Sequence, residues 1–317
     1  MSPVLGYYGK LPVFGDVVKS DESPPTVISF RKWLDEATDK FLSYLGRLPD
    51  VEFGSLPMLR MALRTDKDVN GIVAICMPSR DTHGRKAPFV LFAEVPDDLF
   101  AEQLLLVPVS YGLFFRTGQR AMESAAEAFS NLHQQSTLWG IREGLRLDIT
   151  DSHMRYVGYL KDTSVGSLAL WHAADSKNTA CQNLLLTICW SLSAARKSYS
   201  DQFNAVFRFP LTGNSESQAL EIAFWLDLVS KGMDIRLKNV QMYWTNTHFD
   251  LSFAASSRVM SLAWAPFQED DILWDFCQMR LDATAFDKPP MSTLREVIMN
   301  DQSSLESILV AVSRMGS

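Results

Sequence analysis

The sequence is poor in the residues and motifs that would assign a chemistry directly. It has four cysteines and five histidines in 317 residues, and no two cysteines form a CxxC pair. It also lacks the HExxH, GxxxxGK[ST], GxGxxG and GxSxG motifs. These motifs mark zinc sites, phosphate-binding loops, dinucleotide sites and hydrolase nucleophiles. We therefore expect no catalytic site, no metal and no cofactor.

A basic face and a long apolar run are lacking as well. The formal net charge is −7, whereas a nucleic-acid binder needs clustered Lys and Arg, so we expect no nucleic-acid partner. The most apolar segments, near 104–115 and 184–192, are too short to cross a bilayer. The first eight residues do not have the pattern of a signal peptide. The cysteines lie apart in apolar stretches, which is typical of buried, reduced thiols. We expect a cytoplasmic protein without direct membrane insertion.

Hydrophobic periodicity predicts helices and strands in both halves of the chain. Apolar residues recur at helical spacing from Val27 to Leu45, and Pro24 and Pro25 suit the first turn, so one amphipathic helix is predicted there. Short apolar runs predict strands at 4–11, 13–19, 58–64, 71–77, 89–95, 167–172, 184–190, 205–209, 235–244, 251–255 and 260–265. Helices are predicted for about 96–133, interrupted near Pro108, for about 217–232 and for the tail from Leu305.

This pattern predicts an α/β (α+β) protein, with largely antiparallel sheets flanked by helices. We place the domains at 1–135 and 136–317, the second being another α/β domain with C-terminal helices.

Two segments carry more glycine, proline and charge than ordinary connections do. The first is GYYGKLPVFGDV at 6–17, and the second is MPSRDTHGRKAPF at 77–89. Together they resemble the TagF/ImpM family of type VI secretion accessory proteins, which opens with aromatic-Gly-Lys-Leu-Pro and Gly-Asp and later carries Met-Pro-Ser-x-Asp-x-x-Gly-Arg. The resemblance covers about residues 5–130. Val17 and Ala87 depart from it, because the family usually has an aromatic residue at each position.

The resemblance implies a fold and a function. The first domain should be similar to longin-like and signal-receptor X domains, with a central antiparallel sheet and flanking helices. The protein should be a post-translational repressor of type VI secretion that binds the forkhead-associated scaffold protein of the system. The predicted motif or partner-binding residues are Lys10, Gly15, Asp16, Ser79, Arg80, Asp81, Gly84 and Arg85. The oligomeric state stays open.

Several interpretations of these residues are possible. Lys10 and Asp16 could pair with each other, or with Asp81 and Arg85 if the two segments meet, which would make a structural ion-pair network. Alternatively, Arg80, Arg85 and Lys86 could present a cationic edge to an acidic or phosphorylated partner.

Enzymatic and structural alternatives also remain. Ser79, Asp81 and His83 are the residue types of a hydrolase triad. Asp81 with His83, and His248 with Asp250, place a carboxylate two residues from an imidazole, as a metal site could use. A passive structural subunit is the remaining alternative.

Overall fold

The structure is a computed structural model that describes residues 4–12, 14–20, 24–46, 52–65, 70–127, 149–168, 178–200, 203–211, 217–237, 240–253, 263, 272–276, 279 and 291–315. In these ranges the chain forms nine strands: β1 Leu5–Gly9, β2 Val18–Lys19, β3 Leu59–Leu63, β4 Gly71–Arg80, β5 Lys86–Val95, β6 Val206–Pro210, β7 Gln241–Trp244, β8 His248–Ser252 and β9 Leu273–Asp275. The α-helices in the same ranges are α1 Pro25–Leu45, α2 Asp97–Glu102, α3 Val107–Ser110, α4 Gly112–Glu127, α5 Ile149–Asp162, α6 Asn178–Ser198, α7 Gln218–Met233, α8 Met291–Ile298 and α9 Leu305–Arg314. The predicted fold class, mixed α/β with mostly antiparallel sheet and flanking helices, is confirmed.

The chain divides into two compact units. The first contains Met1–Leu147 with Asn239–Thr245 and Ala254–Asp270, and the second contains the remaining segments. The first unit therefore takes β7 from a distant part of the sequence. The domain limits 1–135 and 136–317 stay a prediction.

The sheet of the first unit has the order β2-β1-β5-β4-β3-β7, and the pairings recorded along it are antiparallel. Its centre is the β4–β5 hairpin, in which ten residues of each strand pair from Gly71 with Val95 to Arg80 with Lys86. These strands are continuous apolar runs because helices cover both of their faces.

Helix α1 begins and ends where the sequence predicts. Pro25 occupies its first turn, Gly46 follows its last residue, and the apolar positions at three- and four-residue spacing are buried from Val27 to Leu45. Phe30 contacts Phe92 of β5 at a ring-centroid distance of 5.4 Å. Burial of this wide apolar stripe against β4 and β5 stabilises the helix on the sheet.

Helix α4 packs on the opposite face of the same strands. Residues that alternate along a strand point to opposite faces, and Ile75 and Leu91 alternate with the residues that face α1. A Cβ atom at Gly118 of α4 would lie 2.6 Å from Ile75 and 3.0 Å from Leu91. The absence of a side chain at Gly118 thus allows α4 to approach the sheet closely.

In the second unit, β6 lies between antiparallel β8 and parallel β9. One face of β6 is aromatic: Phe209 stacks on Trp225 of α7 at 5.1 Å, and the Trp225 indole N–H donates to the Pro210 carbonyl at 3.1 Å. On the alternate positions, Arg208 of β6 forms a buried bidentate pair with Asp250, which lies directly opposite on β8.

Several predictions of local structure are wrong. The sequence predicts a strand at 184–190, but these residues lie inside helix α6. A seven-residue apolar run fits a buried strand and a buried helix equally well, so its length and composition do not decide between them. The connection between the strands predicted at 71–77 and 89–95 is shorter than expected, because β4 continues to Arg80 and β5 begins at Lys86. Helix α5 was not predicted.

Other predictions fall partly on residues that the structure does not describe. Of the strand predicted at 167–172, the structure describes only residues 167 and 168. Of the strand predicted at 260–265, it describes only Ala263, which is helical. Cys76 and Cys189 are buried free thiols, as predicted, and burial raises the pKa of Cys189 to about 12. The side chains of Cys181 and Cys277 lie outside the described residues.

Candidate functional site

The candidate site is the tip of the β4–β5 hairpin, a five-residue loop from Asp81 to Arg85. The Asp81 N–H donates to the Arg85 carbonyl at 3.2 Å, and the Gly84 N–H donates to the Asp81 carbonyl at 3.0 Å. Gly84 has a φ of 76°, in the left-handed region that glycine adopts at little cost. The loop is therefore closed by its own main chain, and Gly84 provides its reversal.

Asp81 is the centre of the site, and its side chain is completely buried. Its Oδ1 atom accepts hydrogen bonds from the His83 and Arg85 main-chain N–H groups, each at 2.9 Å. Its Oδ2 atom accepts from Arg85 Nε at 2.6 Å and lies 3.2 Å from Lys10 Nζ. Both carboxylate oxygens are thus fully engaged by donors, two of which carry a positive charge.

These contacts set the protonation state of the carboxyl group. Burial by itself raises the pKa of Asp81, but the hydrogen bonds from Arg85, Lys10 and the His83 N–H outweigh it and hold the pKa well below its usual range. Asp81 is therefore ionised at any physiological pH. A carboxylate with such a low pKa is a poor general base.

The first motif segment lies against this loop. The Lys10 N–H donates to the Pro88 carbonyl at 3.3 Å, and the Thr82 N–H donates to the Phe14 carbonyl at 3.1 Å. The Arg85 Nη2 group donates to the Gly15 carbonyl at 2.6 Å. The two motifs, about 70 residues apart in sequence, are therefore held together by main-chain and charged contacts.

Two glycines of the first motif allow this close approach. Gly9 has a φ of 131°, and a Cβ atom there would lie 2.1 Å from the Pro88 carbonyl oxygen. A Cβ atom at Gly15 would lie 3.2 Å from the His83 ring, so there the neighbouring side chain would have to move slightly. Gly9 is thus a strict requirement of the geometry, and Gly15 a weaker one.

The structure brings together some of the predicted residues and leaves others apart. Lys10, Asp81 and Arg85 form one ion-pair network, and Gly15 joins it through its carbonyl. Asp16 takes no part in the recorded ion pairs of the described residues; it is exposed, and its Oδ1 atom accepts from the Val17 N–H at 2.8 Å.

The other predicted residues lie in the hairpin itself. Ser79 and Arg80 end β4, where they pair with Ala87 and Lys86 of β5. Arg80 and Lys86 are exposed, and Ser79 is half-buried. They contribute to the tip without entering the ion-pair network.

The arrangement differs from that of a hydrolase triad. Asp81 contacts the main chain of His83, whereas the imidazole Nδ1 of His83 lies 3.4 Å from Thr82 Oγ1. Among the described residues, no three His, Cys, Asp or Glu side chains come together in a way that could hold a metal ion. What the geometry does provide is a rigid hairpin tip with exposed cationic side chains.

Some contacts that position the site had no signal in the sequence. The carbonyl groups of Phe14 and Pro88 act through the main chain, which any residue possesses. Lys86 lies directly opposite Arg80 at the tip, although it is not among the predicted motif or partner-binding residues. The charge pattern RDTHGRK could have indicated this pair if the end of β4 had been predicted at residue 80.

A known family model covers the part of the chain that contains this site. The model of the TagF N-terminal domain, described as type VI secretion system-associated, matches residues 6–138 and includes both motif segments. The resemblance to the TagF family that the two motif segments predict is confirmed over this part of the chain. The match indicates a protein associated with type VI secretion.

Other comparisons add little to the TagF assignment. The crystal structure of PA0076 from Pseudomonas aeruginosa PAO1 is 24% identical over 42% of this chain and 61% of that chain, with a TM-score of 0.35. This chain thus spans less than two thirds of the length of that protein. No curated protein matches the chain. In the described part of the chain, the helices are either too short or too polar to cross a membrane.

Proposed function

We propose that the protein is a post-translational repressor of type VI secretion that acts by binding the forkhead-associated scaffold protein of the system. The observation that carries the proposal is the match of residues 6–138 to the TagF N-terminal domain. The match includes both motif segments, so the residues on which the resemblance rests are those that build the hairpin tip. The second unit has no assigned role in this proposal.

We also propose that the protein acts by binding its partner and that it catalyses no reaction. The most strongly perturbed carboxylate of the tip, Asp81, is buried and hydrogen-bonded on both oxygens. A group in this state holds structure, because it has neither an accessible lone pair nor a pKa suited to proton transfer at neutral pH. Its contacts explain the Lys, Asp and Arg of the two motifs without a reaction. We also propose that the protein acts in the cytoplasm, where it can meet such a partner.

Copurification tests the proposal. The tagged full-length chain should retain the scaffold protein when both are expressed in a host with an intact secretion cluster. Overexpression should lower the amount of a secreted component in the culture medium while the cellular level of that component stays constant, because the proposed repression is post-translational. Normal secretion together with no enrichment of the scaffold would contradict the proposal.

The enzymatic alternative is tested on the same protein. If the loop catalyses no reaction, neither Asp81→Ala nor His83→Ala should abolish an enzymatic activity. Asp81→Ala removes buried contacts and should lower stability, whereas His83→Ala removes an exposed ring and should leave repression unchanged. Loss of repression in a stably folded His83→Ala variant would count against a purely structural role of this loop.

A further inference from the structure

We propose that Arg80, Arg85 and Lys86, which we call the cationic tip, form the docking surface for an acidic, Asp- and Glu-rich segment of the protein partner. The inference rests on the proposed function for the identity of the partner, the scaffold protein. It adds the surface that makes the contact and the chemistry of the segment that it contacts.

Arg85 is held in place before any partner binds. Its Nε atom donates to Asp81 at 2.6 Å and its Nη2 atom donates to the Gly15 carbonyl at 2.6 Å, yet 56% of the side chain is exposed. An arginine ordinarily loses considerable rotamer freedom when it binds an anion. Because Asp81 and Gly15 already fix this guanidinium, docking of a carboxylate on its exposed part loses less conformational entropy.

Arg80 and Lys86 form an unfavourable pair in the isolated protein. They are the last residues paired in the β4–β5 ladder, directly opposite each other, and both are exposed. Like charges directly opposite on antiparallel strands destabilise a hairpin. Within the described residues, neither side chain has a recorded ion pair with a carboxylate. An acidic partner would relieve this repulsion.

The charge balance of the tip is opposite to that of the chain. The two motif segments contain four Lys and Arg residues but only two carboxylates, in a protein with a net charge of −7. One of these carboxylates, Asp81, is buried and already paired with Lys10 and Arg85. The surface of the tip is therefore cationic, apart from the exposed Asp16. Such a local patch steers an acidic segment toward one position on an otherwise repulsive surface.

The arrangement favours several carboxylates over one phosphate. A phosphate site usually gathers its donors around a single point, at a helix N-terminus or a main-chain nest. Here Arg80 and Lys86 lie side by side at the end of the ladder, whereas Arg85 lies in the loop and is anchored toward Asp81. Cations that are spread along an exposed hairpin fit charges that are spread along a peptide.

The test compares the wild type with the double charge reversal Arg80→Glu and Lys86→Glu. The matched control is Lys161→Glu with Lys197→Glu, which makes the same change in net charge at exposed positions on α5 and α6. A neutral variant, Arg80→Gln with Lys86→Gln, keeps the test valid if the reversed chain folds poorly. Circular dichroism checks the folding of each protein. Binding is measured to the purified scaffold, to a labelled peptide of Asp, Glu and Ser, and to a phosphoserine peptide of equal charge.

Reversal at the tip should weaken binding to the scaffold and to the acidic peptide by about tenfold, because two exposed ion pairs are lost and replaced by repulsion. The neutral variant should give a smaller loss, and the control should stay within about twofold of the wild type. Binding of the scaffold by the tip variant should also depend less on salt concentration than binding by the wild type does.

Other outcomes separate the two proposals. Unchanged scaffold binding by the tip variant, an equal loss in the control, or binding of the scaffold and the phosphopeptide without binding of the acidic peptide would overturn the cationic tip and leave the proposed function standing. Tip-dependent binding of the acidic peptide without any binding of the scaffold would overturn the proposed function and leave the cationic tip. Failure of the wild type to bind any of the three would overturn both.

Discussion

The sharpest structural prediction concerns Gly9, which joins β1 to the candidate site. Its φ of 131° is a conformation that residues with a side chain rarely adopt, and forcing one into such a region costs about 1–3 kcal/mol. The added methyl group of Gly9→Ala would also lie 2.1 Å from the Pro88 oxygen and 2.8 Å from Phe89 Cα. Both neighbours are main-chain atoms, so relief requires that β1 move away from β5.

The two effects together give the expected magnitude. Overpacking of this kind costs a further 1–3 kcal/mol or so, so Gly9→Ala should lower the free energy of unfolding by about 2–6 kcal/mol. For a chain of this size, each kcal/mol corresponds to a shift of the thermal midpoint by about 2–4 °C. Displacement of β1 would also carry Lys10 away from Asp81, so we expect weaker binding of the scaffold by the fraction that remains folded.

The control for this prediction is Gly54→Ala. A Cβ atom there would meet only a Glu52 side-chain oxygen at 3.9 Å, and no positive φ is recorded. Its thermal midpoint should stay close to that of the wild type, as measured by differential scanning calorimetry or circular dichroism. If Gly9→Ala melts within about 2 °C of Gly54→Ala, the cost is below about 1 kcal/mol and the reasoning from the Gly9–Pro88 approach is wrong.

Three further predictions concern charged and buried groups. The pKa of Asp81 is depressed in the folded state, so its ion pairs stabilise the fold above the ordinary carboxyl pKa of about 3.9, and this stabilisation is lost as the pH falls below that value. Between neutral pH and about pH 3, the thermal midpoint of Asp81→Asn should therefore fall less than that of the wild type. Arg208→Met should destabilise the second unit by about 3–5 kcal/mol in urea unfolding, because it leaves Asp250 buried and unpaired, and Arg208→Met with Asp250→Leu should recover much of that loss; equal stability of the single and double variants would contradict the buried pair. Burial and a hydrogen bond to Asp35 raise the pKa of Tyr8 to about 12, and burial also raises the pKa of Tyr111, Tyr156 and Tyr159. In an ultraviolet titration, the delayed component that Tyr8→Phe removes should therefore titrate at lower pH in Asp35→Asn, and an unchanged titration would exclude that bond.

Helix α1 is an element that the local sequence pattern predicts correctly. Its apolar spacing, the prolines at its start and the glycine at its end all act within a few residues of one another, and the predicted element matches the structure. The run at 184–190 shows the limit of the same reasoning. Its apolar character indicates burial correctly, but the choice of helix depends on flanking turns and on packing against α7.

The ion-pair network shows a different limit. The sequence indicates that Lys10, Asp16, Asp81 and Arg85 could pair, and it leaves several combinations open. The pairing of β1 with β5 places Lys10 beside Asp81, whereas Asp16 lies exposed on the other side of a turn. Charges attract without specifying partners, so the register of the strands decides which of them meet.

The sequence by itself determined the fold class, the resemblance of its first part to the TagF family and the two segments from which the candidate site is built. These follow from local hydrophobic period, turn residues and motif order, which are properties of short stretches of chain. Only the tertiary structure decided that Asp81 is buried and saturated with donors, that Arg80 faces Lys86, and that β7 joins the sheet of the first unit. Those outcomes depend on contacts between segments far apart in the chain, where packing and strand pairing select one arrangement among many that local physics permits.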